Sequence, residues 1–106
     1  LHKNLTLICG KTRSNYVIDL ANKLGSYDLI FIDAEHTYEG IKADFNNYLP
    51  MLSDSGVIGF HDVECPDWVG INKFWHELES TNKYNMKKFV KKGFLLQYGI
   101  GMLTLK

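Results

Sequence analysis

Cysteine and proline are scarce in this sequence, two of each in 106 residues, and neither sign of charge dominates. Cys9 and Cys65 have no Cys-x-x-Cys spacing, which argues against a disulfide scaffold and for thiols in a reducing, cytoplasmic setting. Twelve Lys plus Arg balance twelve Asp plus Glu, so no global field favours nucleic acid or an acidic lipid surface as partner. No apolar stretch approaches the roughly 20 residues that cross a bilayer. No repeat, low-complexity tract or linker divides the chain, and its length admits one domain at most. A chain that opens on Leu1 and enters strand-like residues almost at once reads as one starting inside a domain, a fragment.

What is present is an alternation of short apolar runs and amphipathic stripes. Residues 5–9 and 28–32 read as strands. Between them Tyr16, Val17, Leu20, Ala21 and Leu24 recur at helical spacing, and Gly25 offers a stop. A helix is predicted over residues 37–52, with Tyr38, Ile41, Phe45, Tyr48, Leu49 and Leu52 on one stripe. Thr37 can cap it, and Pro50 should distort its last turn. Residues 53–56 (Ser-Asp-Ser-Gly) form a predicted turn before a strand at 57–60. Ile71, Phe74, Trp75 and Leu78 mark a third helix, and strands at 86–92 and 95–105 are spaced as an antiparallel hairpin. The expected architecture is parallel α/β with an antiparallel edge.

Two of these strands end in chemistry. Leu29-Ile30-Phe31-Ile32 runs into Asp33, Glu35 and His36, and Val57-Ile58-Gly59-Phe60 runs into His61-Asp62. The carboxyl ends of buried parallel strands are where open α/β folds place their ligands. If the two strands are neighbours, Asp33, His61 and Asp62 meet. Paired carboxylates repel unless one is protonated or a cation lies between them, and a hard divalent ion answers that need. A histidine in the set shifts preference toward manganese, iron or zinc. His36 is placed to take a proton from a hydroxyl that such an ion acidifies. The plainer alternative is that both aspartates cap local turns.

Other features carry less. Gly10-Lys11-Thr12 lacks the earlier glycine of a phosphate loop, and Gly99-Ile100-Gly101 lacks the third glycine and helix of a dinucleotide fingerprint. Trp68, Phe74 and Trp75 read as core and rim packing. Lys87-Lys88 and Lys91-Lys92 read as a solvated edge strand. His2 and His76 have no chemical company and belong on the surface.

The block YDLIFIDAEHTYEGIKADFNNYLPMLSDSGVIGFHDV, with GINKFWHEL and YGIGMLTL after it, resembles the carboxyl-terminal half of class I S-adenosylmethionine-dependent methyltransferases. The nearest branch resembles macrocin-type sugar O-methyltransferases and cephalosporin-hydroxylase-like proteins. The residues carrying the resemblance are Ile32 to Tyr38, the Lys42-Ala43-Asp44 step, Ser53 to Gly56 and His61-Asp62. The resemblance implies a Rossmann-like three-layer α/β sandwich. Residues 1–106 would be a partial domain without the amino-terminal glycine-rich half that holds most of the cofactor. It further implies Asp33, His61 and Asp62 as metal ligands for magnesium or manganese. Asp33 and Ala34 would lie against S-adenosylmethionine, with Ala34 standing where the family usually has glycine. His36 would be the catalytic base. The expected reaction is methyl transfer to a hydroxyl of a small molecule or sugar, in the complete protein rather than in this chain alone. In the family's sheet order residues 5–9 would lose their neighbours and the edge of residues 28–32 would be bare, open to homodimerisation. The alternatives are a non-catalytic remnant or interaction module, and a metal-dependent hydrolase using His61-Asp62. Hydrolases of that kind hold the pair in all-helical domains, so its position at a strand end discriminates.

Overall fold

A computed structural model describes residues 4–33, 35–64, 69–92 and 97–106, without the side chains of Lys92, Gln97 and Tyr98. Helix α1 (Asn15–Leu24) starts at Ser14, whose hydroxyl accepts the Val17 amide, and ends at Gly25. Strand β1 (Tyr27–Ile32) leads to α2 (Tyr38–Tyr48), which is capped by Thr37 as predicted: its Oγ1 accepts the Gly40 amide at 3.0 Å. The predicted helix over 37–52 stops short, because Pro50 falls in a separate 3-10 turn, Leu49–Met51. Strand β2 (Leu52–His61), α3 (Val69–Thr81), β3 (Tyr84–Lys92) and β4 (Gln97–Leu105) complete the order.

The sheet order is β1-β2-β4-β3, with β1 and β2 parallel and β4 antiparallel to both its neighbours. The mixed α/β class, the parallel pair and the terminal hairpin are therefore as expected. Two local readings are corrected. Residues 5–9 form no strand: Leu5 and Leu7 are exposed, and a strand exists only through a partner, which this segment lacks among the described residues. Residues 53–56 are not a free turn but an excursion within β2. Pairing jumps from Tyr27↔Leu52 to Leu29↔Val57, and Ser53 Oγ donates to Asp28 Oδ1 at 2.7 Å across the gap.

One face of the sheet makes the core. Ile32, Ile58, Phe60 and Leu103 pack against Ile41 and Phe45 of α2 and Ile71, Phe74, Trp75 and Leu78 of α3. Phe45 sits at the centre, with ring centroids 5.5 Å from Phe74 and 5.9 Å from Phe60. Burying each such side chain contributes roughly 1.5–3 kcal/mol. Gly101 on β4 is required by Trp75, whose indole lies where a Cβ would stand. The small residues of β4 thus serve close packing. Both sheet edges are open among the described residues. β3 protects its edge with lysines, as its sequence suggested, whereas β1 presents Leu29 (61% exposed) and Phe31 (49%). No described helix is long and apolar enough to cross a membrane.

Candidate metal and proton-transfer site

Parallel pairing of Ile32 with Phe60 aligns the carboxyl ends of β1 and β2, so the residues that follow each must meet. They do. One ligand atom from each of Asp33, His36, His61 and Asp62 lies within 4.8 Å of the others. His61 Nδ1 stands 2.7 Å from Asp62 Oδ2 and 3.4 Å from Asp33 Oδ1. His36 Nε2 is 3.1 Å from Asp62 Oδ2 and 3.8 Å from Asp33 Oδ1. His36, spaced beside Asp33 in the chain, is thus nearer to Asp62, a proximity created by the strand pairing. Ala34 lies outside the described residues.

The backbone builds this convergence locally. Asp62 has φ 63°, a left-handed conformation that aspartate tolerates better than most residues. It turns the chain immediately after β2, and the Asp62 carboxylate is largely covered while Asp33 stays half exposed. His61 Nδ1 is buried and has no aligned hydrogen bond despite its two carboxylate neighbours. His36 Nε2 meets Asp62 Oδ2 in hydrogen-bond geometry, and the nitrogen and oxygen donors gathered at this point suit a cation placed among them. Two carboxylates and imidazole nitrogen are donors for a first-row divalent ion. The residues present therefore fit a metal.

The surroundings tie the site to the core. Tyr38, just after His36 and Thr37, donates to Glu77 Oε1 at 2.6 Å and accepts from Lys42 Nζ at 3.1 Å, joining α2 to α3. The Tyr38 hydroxyl, with help from Lys42, holds the Glu77 carboxyl below its usual range. The same hydroxyl, with Glu77, holds the Lys42 ammonium above its usual range. Arg13 Nη2 donates to Glu35 Oε2 at 2.6 Å, in the loop between Asp33 and His36. Beside Asp33, α1, β1 and α2 line an open pocket of about 340 Å³ that includes Val17, Ile30, Ile32 and Asp44. Asp44 is 3% exposed, and its Oδ1 has no hydrogen-bond partner among the described residues. The sequence flagged Asp44 only as part of the Lys-x-Asp step, and an exposed Glu35 carried no signal of its ion pair.

Elsewhere the described residues match the plainer readings. Phe74 and Trp75 are core, and His76 is exposed as expected, although it does have a partner, Glu79 at 2.9 Å one helical turn on. Cys9 is an exposed free thiol. Cys65, Trp68 and His2 lie outside the described residues. His61 is the last residue of β2, a position that counts against the helical-hydrolase alternative.

Comparison with known proteins gives this geometry a family. Protein y4gI of Sinorhizobium fredii is 37% identical over 79 residues, covering 74% of this chain and 8% of that protein. Among solved structures, CalS11, a TDP-rhamnose 3'-O-methyltransferase, superposes with a TM-score of 0.61 at 21% identity, over 90% of this chain and 38% of its own. MycE, a methyltransferase from the mycinamycin biosynthetic pathway in complex with Mg and SAH, gives 0.58 at 12% identity, over 92% and 31%. The chain thus spans less than a tenth of the first relative and well under half of these two structures. At such identities the structures establish the fold. The family model described as "Methyltransferase domain" matches residues 1–63, more than half of the chain, and on that match the chain belongs to the methyltransferase-domain family.

Proposed function

We propose that this chain is the metal- and base-bearing part of an S-adenosylmethionine-dependent O-methyltransferase acting on a hydroxyl of a small molecule or sugar. The observation that carries the reading is the convergence of Asp33, His36, His61 and Asp62 at two adjacent parallel strand ends in a chain of this family. The kinship in fold to a sugar O-methyltransferase and to a methyltransferase complexed with Mg and SAH supports it. In this reading Asp33, His61 and Asp62 hold a divalent ion, magnesium or manganese. Asp33 and Ala34 border the cofactor.

The ion, when bound, neutralises the two carboxylates and lowers the proton affinity of a hydroxyl beside it. The cofactor supplies a methyl group on a sulfonium, open to displacement by an oxygen nucleophile. His36 takes the acceptor's proton at Nε2, which requires the neutral tautomer with its hydrogen on Nδ1. Nε2 is also the atom that meets Asp62 Oδ2 in a hydrogen bond at 3.1 Å, which orients the ring, and in this reading the acceptor's hydroxyl takes the place of Asp62 as its partner. Nε2 lies 3.1 Å from Asp62 Oδ2 and 3.8 Å from Asp33 Oδ1, so a hydroxyl held beside those carboxylates would stand next to it. Alignment and proton removal account for the rate gain, with no covalent enzyme intermediate.

The test is transfer of a labelled methyl group from S-adenosylmethionine to sugar and phenol acceptors by the complete protein, with and without Mn²⁺. His36→Ala is expected to slow transfer about 100-fold or more. Unchanged transfer would refute the base assignment. The reading also includes self-association of the chain through the open edge of β1.

A further inference from the structure

Glu35 lies between the two chemistry-bearing residues of the β1–α2 loop, Asp33 and His36, yet stands outside the four-group cluster. Its side chain is held from two sides. It folds over Gly40 in the first turn of α2, where a Cβ would meet the Glu35 carboxylate and stand 2.8 Å from its Cβ. Its Oε2 also accepts from Arg13 Nη2 at 2.6 Å, in the segment leading into α1. Gly40 is buried, and its amide is already committed to the Thr37 cap. A glycine inside a helix costs about 1 kcal/mol relative to alanine. Here that cost leaves room for the Glu35 side chain.

We propose that Glu35 is a positioning residue, seated on the bare backbone of Gly40 and tied by Arg13, which sets the loop that aims Asp33 and His36 at the metal position. This deepens the metal-and-base reading and rests on it. The pair is half exposed, Arg13 at 50% and Glu35 at 45%, so its role is geometric and adds little to stability. Outer residues that orient ligands typically govern metal affinity by 10–100-fold.

Mn²⁺ binding to the 106-residue chain by calorimetry, read beside its melting temperature, tests this. Glu35→Ala and Gly40→Ala should each weaken Mn²⁺ binding about tenfold. Gly40→Ala should at the same time leave the melting temperature within a few degrees of wild type, the helix preference of alanine offsetting the cost of displacing Glu35. A merely structural role would move affinity and stability together. Glu35→Gln keeps the packing and an oxygen for Arg13, and should retain the wild-type affinity. Wild-type affinity in both Glu35→Ala and Gly40→Ala overturns the proposal. If the wild-type chain binds no Mn²⁺, the metal reading fails by itself. The seat is then read from the His36 ring resonances: displaced in both alanine variants they uphold the positioning role, and unmoved they overturn it.

Discussion

Asp62→Asn should change the stability of the chain in opposite directions with and without metal. Asp33 and Asp62 bring donor oxygens within 4.8 Å of each other. Two unit charges at that distance repel by about 3.5 kcal/mol at an effective dielectric of about 20. Asp33 is about half exposed and two imidazoles lie near, so about 1 kcal/mol of that is a fair expectation for the metal-free chain. Asparagine keeps the shape and an accepting oxygen while removing one charge. The metal-free variant should therefore melt higher, by about 4–8 °C for a domain of this size. Metal reverses the ranking. A ligand at about 100 times its dissociation constant stabilises the native state by about 2.7 kcal/mol, a rise of roughly 10–20 °C. Each tenfold loss of affinity removes about 1.4 kcal/mol of that at most. Melting of both proteins in a chelator and in an Mn²⁺ series is the assay. An Mn²⁺-induced rise as large in Asp62→Asn as in the wild type would remove Asp62 from the ligand set.

Three further outcomes are expected. Leu29→Lys, on the open strand, should leave the chain monomeric in sedimentation at concentrations where the wild type associates; a wild type that stays monomeric throughout rejects edge-mediated dimerisation. The Glu77 carboxyl, held low chiefly by Tyr38, contributes stability that is present above the ordinary carboxylate range and lost as pH falls through its depressed value. The gap in melting temperature between wild type and Tyr38→Phe should accordingly narrow on acidification, and a gap independent of pH would contradict the assignment. Gly101→Ala pushes a methyl group into Trp75, which is 1% exposed, and should cost about 1–3 kcal/mol by overpacking, read in a denaturant titration.

The features that could be read from sequence are those set by periodicity or by a side chain acting near its own position. The stripe of Ile71, Phe74, Trp75 and Leu78 has helical spacing and nothing to compete with it. Thr37 caps α2 through its own hydroxyl, and Asp33 follows an apolar run too short for a helix. Features that depend on partners were not legible. Residues 5–9 have strand composition, but composition supplies no neighbour to accept their hydrogen bonds. Ser53 to Gly56 are turn formers, and the chain spends them on an excursion in β2 because Leu52 still pairs with Tyr27. The left-handed φ of Asp62 and the approach of His36 to it arise only when β1 and β2 lie side by side. The sequence therefore supplied the members of the cluster, while pairing supplied their angles.

That division explains why the polar cluster can be complete in a chain spanning a minor part of the proteins it resembles in fold. All four groups lie between positions 33 and 62, on two strands that pair with each other directly. The packing behind them sets Ile32 and Phe60 against Ile41 and Phe45 of the same stretch, and is completed by Phe74 and Trp75 of α3. Nothing in the convergence requires the outer edge of β1. The pocket shows the opposite dependence: Asp44 is buried beside that edge with an oxygen unmatched, and Leu29 and Phe31 are bare. Buried polar groups and apolar strand edges are costly unless something meets them. The β1 side thus carries an unmatched Asp44 oxygen and a bare apolar edge, and covering that edge should affect stability more than the position of His36 or Asp62.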